Sequence, residues 1–155
     1  MTHEARILSY QQAQAFYDWM GKKQDWQAFY EAKAMHDLIT HASFEKAEAV
    51  FEFGCGTGVL AERLLTSYLP PSAHYVAVDS STTMTRLTKT RLDRFGNRVT
   101  VQQTNGSLQL EAASGSCDRF VSTYVADLLS HSDIAALFLE ARRLLIPGGR
   151  LCLVS

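Results

Sequence analysis

Val50-Phe51-Glu52-Phe53-Gly54-Cys55-Gly56-Thr57-Gly58-Val59 is the stretch that decides how this chain folds. Ala49 to Phe53 reads as a short strand, ended by the glycine loop. Gly54, Gly56 and Gly58 then form a turn, and Val59 to Tyr68 reads as a helix stopped by Pro70-Pro71. A strand, a glycine turn and a helix together make an anchoring surface. Glycine permits positive φ and brings bare backbone against a ligand. The amino end of the helix adds N–H groups with no intrahelical partner. Such a surface suits a pyrophosphate or the carboxylate of an amino acid.

Working outward, His74 to Asp79 reads as a second strand, and Ser80-Ser81-Thr82 supplies N-cap candidates for a helix lined by Met84, Leu87, Leu92 and Phe95. Gly96-Asn97 ends it. Arg98 to Thr104 is a third strand with Val99 and Val101 on one face, and Asp118 to Tyr124 a fourth. Ser132-Asp133 opens a helix with Ile134, Leu137, Phe138, Ala141, Leu144 and Leu145 at helical spacing. Pro147-Gly148-Gly149 then turns the chain into a fifth strand, Arg150 to Val154. Strands alternating with helices predict βαβ units, an α/β fold with a doubly wound, mostly parallel sheet, and a ligand at the carboxyl ends of the strands.

Upstream, Gln11 to Met20 and Trp26 to His41 read as helices. Residues 1–47 are therefore expected to form a helical lid or cap, and residues 48–155 the α/β core. Leu151-Cys152-Leu153-Val154 suits a strand covered on both faces, and an open edge there invites pairing. The chain is expected to continue past Ser155 in the natural protein, or to self-associate through the fifth strand.

Composition narrows the classes. The 155 residues fit one domain, with 46% hydrophobic and 20% charged residues and a net charge of −1. No basic excess points to nucleic acid. No stretch approaches the ~18 apolar residues of a membrane helix, and the amino end has no signal-peptide pattern. Cys55, Cys117 and Cys152 are far apart and form no Cys-x-x-Cys pair, which predicts three buried free thiols in a reducing compartment, the cytoplasm. No His-x-x-x-His pair or neighbouring acid suggests a metal.

The glycine turn can be read more closely. Its spacing is Gly-x-Gly-x-Gly, and Val59 stands where the dinucleotide fingerprint needs its third glycine. No Gly-Lys-Ser or Gly-Lys-Thr follows, which excludes a P-loop. Glu52 lies two residues before Gly54, where a carboxylate favours a positively charged ligand. Asp79, ending the second strand, suits the two hydroxyls of a ribose. The competing role for Asp79 is a helix N-cap. Three functions stay open at this point: methyl transfer from an aminoacyl sulfonium nucleoside, a nucleotide-dependent oxidoreductase, and a protein that binds the nucleoside without catalysis.

Five ordered segments resemble the motifs of the class I S-adenosylmethionine-dependent methyltransferases. They are Val50–Gly58, Tyr75–Ser81 with Met84, Thr104–Ser107, Cys117–Tyr124, and Arg143–Leu151. Tyr17-Asp18 resembles a Tyr-Asp motif that precedes the core in members of small-molecule or lipid type. The resemblance implies S-adenosyl-L-methionine as cofactor and the Rossmann-like methyltransferase fold without its last two strands. It implies that Gly54, Cys55, Gly56, Thr57 and Gly58 pack on the methionine part. Asp79 would hold the ribose, Ser80 and Met84 flank the adenine, and Asn105 and Gly106 meet its amino edge. Thr123 and Tyr124 would lie beside the amine and the transferable methyl, and Tyr17 would belong to a lid. Asn105 departs from the commoner aspartate, but an amide both donates and accepts.

No catalytic residue follows from this reading, because an activated methyl needs alignment more than acid–base help. His131 and Asp127, near the expected methyl end, are candidates to steer or deprotonate an acceptor, with a solvated loop and a helix N-terminal acid as the simpler readings. Most of the aromatic residues among the first thirty read as core packing. The acceptor is expected to be a small molecule or a lipid.

Overall fold

The computed structural model describes residues 32–155, together with Ala15. Apart from Ala15, the expected helix over Gln11–Met20 lies outside these residues, as do Tyr17-Asp18 and the first part of the helix over Trp26–His41. Five strands form one sheet: β1 (Ala49–Phe53), β2 (His74–Asp79), β3 (Val99–Gln103), β4 (Cys117–Thr123) and β5 (Leu145–Val154), in the order β3-β2-β1-β4-β5. Every pairing is parallel. The helices are α1 (Ala32–His41), α2 (Val59–Ser67), α3 (Thr82–Leu92) and α4 (His131–Leu144).

β1 is central, and from Val50 onward it is buried at every position, Glu52 included. Its alternation divides the core. Val50 faces α1 and α2 with Leu38, Ile39, Ala61 and Leu64, whereas Phe51 and Phe53 face α4 with Leu137, Ala141 and Leu144. Phe51 stacks on Phe120 with ring centroids 5.6 Å apart. Full burial of such side chains stabilises the fold by roughly 1.5–3 kcal/mol each.

Two arginines tie α1 to the sheet. Arg119 on β4 donates to the carbonyls of Ala42 (2.6 Å) and Ser43 (2.9 Å), and Arg150 on β5 donates to that of His41 (2.9 Å). The His41 and Ala42 carbonyls close α1, where a cation is favourable, and that of Ser43 opens the 3₁₀ turn Phe44–Lys46.

Three sequence expectations are corrected. β5 begins at Leu145, not Arg150: Leu145 pairs with Cys117 and Arg150 with Arg119, so Pro147-Gly148-Gly149 is an irregularity inside the ladder. That strand is not covered on both faces among the described residues, because Cys152 is buried while Leu151 and Leu153 are 40% and 37% exposed. The N-cap of α4 is Ser130, whose Oγ accepts from the Asp133 N–H at 3.2 Å, and Phe138 points outward at 44% exposure. The apolar stripe of α4 is thus narrower than its spacing suggested.

Residues 104–116, between β3 and β4, form no helix. Glu140 and Arg143 on α4 hold this connection. Leu110 N–H donates to Glu140 Oε2 (2.9 Å), and Arg143 donates to the carbonyls of Leu110 (3.0 Å) and Ala112 (2.7 Å). The Arg143 hydrogen bond keeps the Glu140 carboxyl below its usual range.

Candidate donor-binding site

β1 lies between β2 and β4, and the chain crosses from β3 back over the sheet to reach β4. The crevice at such a switch point, outside the carboxyl ends of the strands, is where open α/β sheets bind ligands. The glycine turn stands there. Gly54, Gly56 and Gly58 all adopt positive φ (76°, 55° and 82°). Gly54 also packs so close to Val125 that a β-carbon would overlap Val125 Cγ2.

The second strand anchors the turn. The Val78 carbonyl accepts from the N–H groups of both Gly54 (2.8 Å) and Cys55 (3.0 Å). Asp79 Oδ2 accepts from Gly56 N–H at 3.0 Å, and its Oδ1 from Ser81 N–H at 2.9 Å. The N-cap of α3 is Ser81, whose Oγ accepts from Met84 N–H at 3.2 Å. Asp79 therefore braces the turn and does not cap α3. With Gly54–Gly58 and Ser80 it forms one continuous rim.

The remaining candidates are placed as follows. Asn105 and Gly106 follow β3, with Asn105 Oδ1 accepting from Ser107 N–H at 3.0 Å. Beside them opens a cavity of about 380 Å³ lined by Phe51, Val78, Gln103, Thr104, Asn105 and Leu110. Thr123 ends β4, and Tyr124 takes a left-handed φ of 57°, its N–H donating to Val154 O at 2.7 Å. Positive φ at a bulky residue costs energy and clusters at functional sites. Met84, in the first turn of α3, is fully buried. His131, in the first turn of α4, is exposed. Asp127 lies in the 3₁₀ turn Ala126–Leu128.

Glu52 also lies beneath the rim. It is 1% exposed and accepts from the Tyr75 hydroxyl at 2.8 Å. Burial pushes its carboxyl up to about 8; the Tyr75 hydrogen bond opposes this and nearby Asp79 adds to it. Burial, with Asp79 and Glu52, raises the Cys55 thiol well above its ordinary value. That thiol is thus held protonated and is a packing group.

Sequence reasoning missed the residues that grip the turn from α3. Thr88 Oγ1 donates to Gly56 O at 2.8 Å, and Arg91 Nε donates to Thr57 O at 2.9 Å. A run of threonines on a helix, with Thr85 and Thr88 three residues apart, is the signal that could have shown them. No group of three His, Cys, Asp or Glu suited to a metal occurs among the described residues. No described helix is long and apolar enough to cross a membrane.

A parallel 3-2-1-4-5 sheet, a glycine turn at the switch point and an acid ending β2 define a Rossmann-like α/β fold. The profile of the family described as "Methyltransferase domain" matches residues 50–149, and the chain belongs to that family. No curated protein matches the sequence. Among solved structures, the [4+2]-cyclase SpnF superposes with a TM-score of 0.75 at 18% identity, covering 92% of this chain and 58% of the cyclase. DhpI, solved as a complex with SAH, gives 0.70 at 16% identity, covering 95% of this chain and 68% of DhpI. Phosphoethanolamine N-methyltransferase 1 of Haemonchus contortus, solved with phosphoethanolamine and S-adenosylhomocysteine, gives 0.73 at 19% identity, covering 97% of this chain but 32% of that one. The chain thus spans only part of the length of these proteins.

Proposed function

We propose that this chain is the donor-binding core of an S-adenosylmethionine-dependent methyltransferase whose acceptor is a small molecule or a lipid. The observation that carries the reading is the single rim formed by the Gly54–Gly58 backbone and Asp79 at the switch point of a methyltransferase-family sheet. The residues present suit the donor. Three of the five residues of the turn are glycines at positive φ, which present bare backbone at the rim. Ser122 Oγ, buried near the carboxyl end of β4, has no hydrogen-bond partner among the described residues.

S-adenosylmethionine would supply a methyl already activated on a sulfonium. The chain's task is then to bind, orient and exclude water. In this reading Gly54, Cys55, Gly56, Thr57 and Gly58 meet the methionine part, and Asp79 accepts the ribose hydroxyls. Ser80, Asn105 and Gly106 surround the adenine. Thr123 and the strained Tyr124 stand beside the methyl, and Tyr17 belongs to the covering segment. Glu52 acts from below, through the turn and Tyr75. A dehydrogenase is disfavoured because Val59, not glycine, opens α2.

A small-molecule acceptor is supported by the phosphoethanolamine enzyme among the structural neighbours. A cyclase among the structural neighbours shows that the fold is not confined to methyl transfer, and a donor-binding protein without catalysis is the second reading. Three free, buried cysteines support a reducing, cytoplasmic setting. The exposed Leu151 and Leu153 support association at the β5 edge.

Calorimetry with S-adenosylhomocysteine and with NAD, side by side, tests the donor. Heat with the first alone is expected; binding of NAD alone, or of neither, overturns the reading. Tritiated methyl transfer to small amines, hydroxyl compounds and phospholipid vesicles then tests the acceptor. Donor binding with no labelled product from any of them would favour the second reading.

A further inference from the structure

α3 gives the glycine turn a polar face. Ser81, Thr85 and Thr88 are buried on it, and Arg91 follows one turn later. Thr85 Oγ1 is spent within the helix, donating to the Ser81 and Thr82 carbonyls at 3.1 Å. Thr88 instead reaches out to Gly56 O (2.8 Å), and Arg91 to Thr57 O (2.9 Å). Arg91 Nη1 also donates to Glu62 Oε2 on α2 at 3.1 Å, so its guanidinium joins the turn, α2 and α3. The back of the turn leaves no slack: a β-carbon at Gly58 would come within 3.0 Å of Thr88 Cγ2.

A peptide unit is planar, so fixing its carbonyl fixes the direction of the N–H that follows. Two consecutive carbonyls, those of Gly56 and Thr57, are held toward α3. Their peptide planes are thereby set at the residues whose backbone faces the proposed ligand. The second strand anchors the start of the turn, and Gly58 N–H donates to Cys55 O at 3.0 Å within it. The two carbonyl contacts from α3 add restraint at glycines, which have the widest choice of φ and ψ.

We propose that Thr88 and Arg91 are positioning residues for the methyl donor, holding the Gly56–Thr57–Gly58 backbone in its donor-ready orientation without touching the donor. The inference rests on the donor-binding reading above. It assigns a function to a stretch of α3 that the donor does not contact.

The test compares wild type with Thr88→Val, Thr88→Ser and Arg91→Lys. Valine keeps the shape of threonine and loses its hydroxyl. Serine keeps the hydroxyl. Lysine keeps the charge but replaces the rigid guanidinium fork, which reaches Thr57 O and Glu62 through two different nitrogens, with a single ammonium on a flexible stem. Calorimetry with S-adenosylhomocysteine is the readout, with thermal melting alongside. Thr88→Val should weaken binding about tenfold, the size of one net hydrogen bond, with serine restoring most of it and Arg91→Lys also weakened. In turnover on any acceptor found, the donor KM should rise while kcat holds. Should Thr88→Val fail to fold, Arg91→Lys against wild type decides alone. Wild-type affinity in folded Thr88→Val and Arg91→Lys overturns the inference, as does a lowered melting temperature with unchanged affinity. Failure of wild type itself to bind S-adenosylhomocysteine would instead defeat the donor reading.

Discussion

Glu52→Gln probes the buried floor of the site. Glu52 is enclosed by protein, with the Tyr75 hydroxyl at 2.8 Å and with Asp79 and Cys55 close enough to act on its charge. Burial lifts its carboxyl from 4.5 to about 8. Below about pH 4.5 folded and unfolded chains both hold this proton. As the pH rises from there toward 8, the unfolded chain releases it and the folded chain keeps it. Stability therefore falls across that window, and levels off once the folded chain has ionised too. A shift of this size corresponds to roughly 5 kcal/mol as a ceiling, at about 1.4 kcal/mol per unit.

Glutamine imitates the protonated acid. Its carbonyl oxygen can accept from Tyr75, and it has nothing to lose on raising the pH. At about pH 5 the variant should match wild type within ~1 kcal/mol, the cost of one buried hydrogen bond rearranged. Near pH 8.5 it should be the more stable by a few kcal/mol, which for a chain of this size is on the order of 10 °C in melting temperature. Urea and thermal unfolding of both proteins across this range give the answer. Two stability curves that run parallel, or a wild type that gains stability from pH 5 to 8 relative to the variant, would refute a neutral Glu52.

Asp79→Ala should weaken S-adenosylhomocysteine binding at least tenfold, from lost charge-assisted hydrogen bonds of ~1.5–3 kcal/mol each. Asp118→Ala should not, since Asp118 sits at the start of β4 and accepts from Glu48 N–H at 2.7 Å, far from the rim; equal losses in calorimetry would show the ligand misplaced. Gly54→Ala should destabilise the fold by roughly 1–3 kcal/mol through overpacking against Val125, and adding Val125→Ala should recover part of it in thermal melts. No recovery would mean that backbone strain at φ 76°, not the contact, is what matters.

The strands and the glycine turn were legible because their signals are local. Buried strands write themselves as apolar runs, and glycines in a strand-to-helix turn announce positive φ before any fold is known. Pairing is not local, and it is where the reading slipped. Pro147-Gly148-Gly149 has the composition of a turn, yet Leu145 is already paired with Cys117 before it and Arg150 with Arg119 after it. Nothing in ten residues of sequence distinguishes a turn that starts a strand from an irregularity within one. Cover is not local either. Leu151 and Leu153 look like residues of a doubly covered strand, but their exposure depends on what lies beside β5.

Asp79 shows the same limit at the site. Its position allowed two roles, ribose ligand or helix cap, each argued from neighbours in sequence. Folding added a third, the bond to Gly56 N–H across 23 residues, and gave the cap to Ser81. Thr88 and Arg91 reach the turn over 32 and 34 residues. Each looks on its own like an ordinary helix residue. Their common feature is that the second βα unit, β2 with α3, supplies these restraints on the turn of the first. The glycines give the turn the freedom to meet a ligand closely, and that freedom is useful only if something else removes it. A donor site of this kind should therefore be sensitive to substitutions on α3 that never face the ligand. Glycine motifs alone, copied without such a helix, should bind poorly.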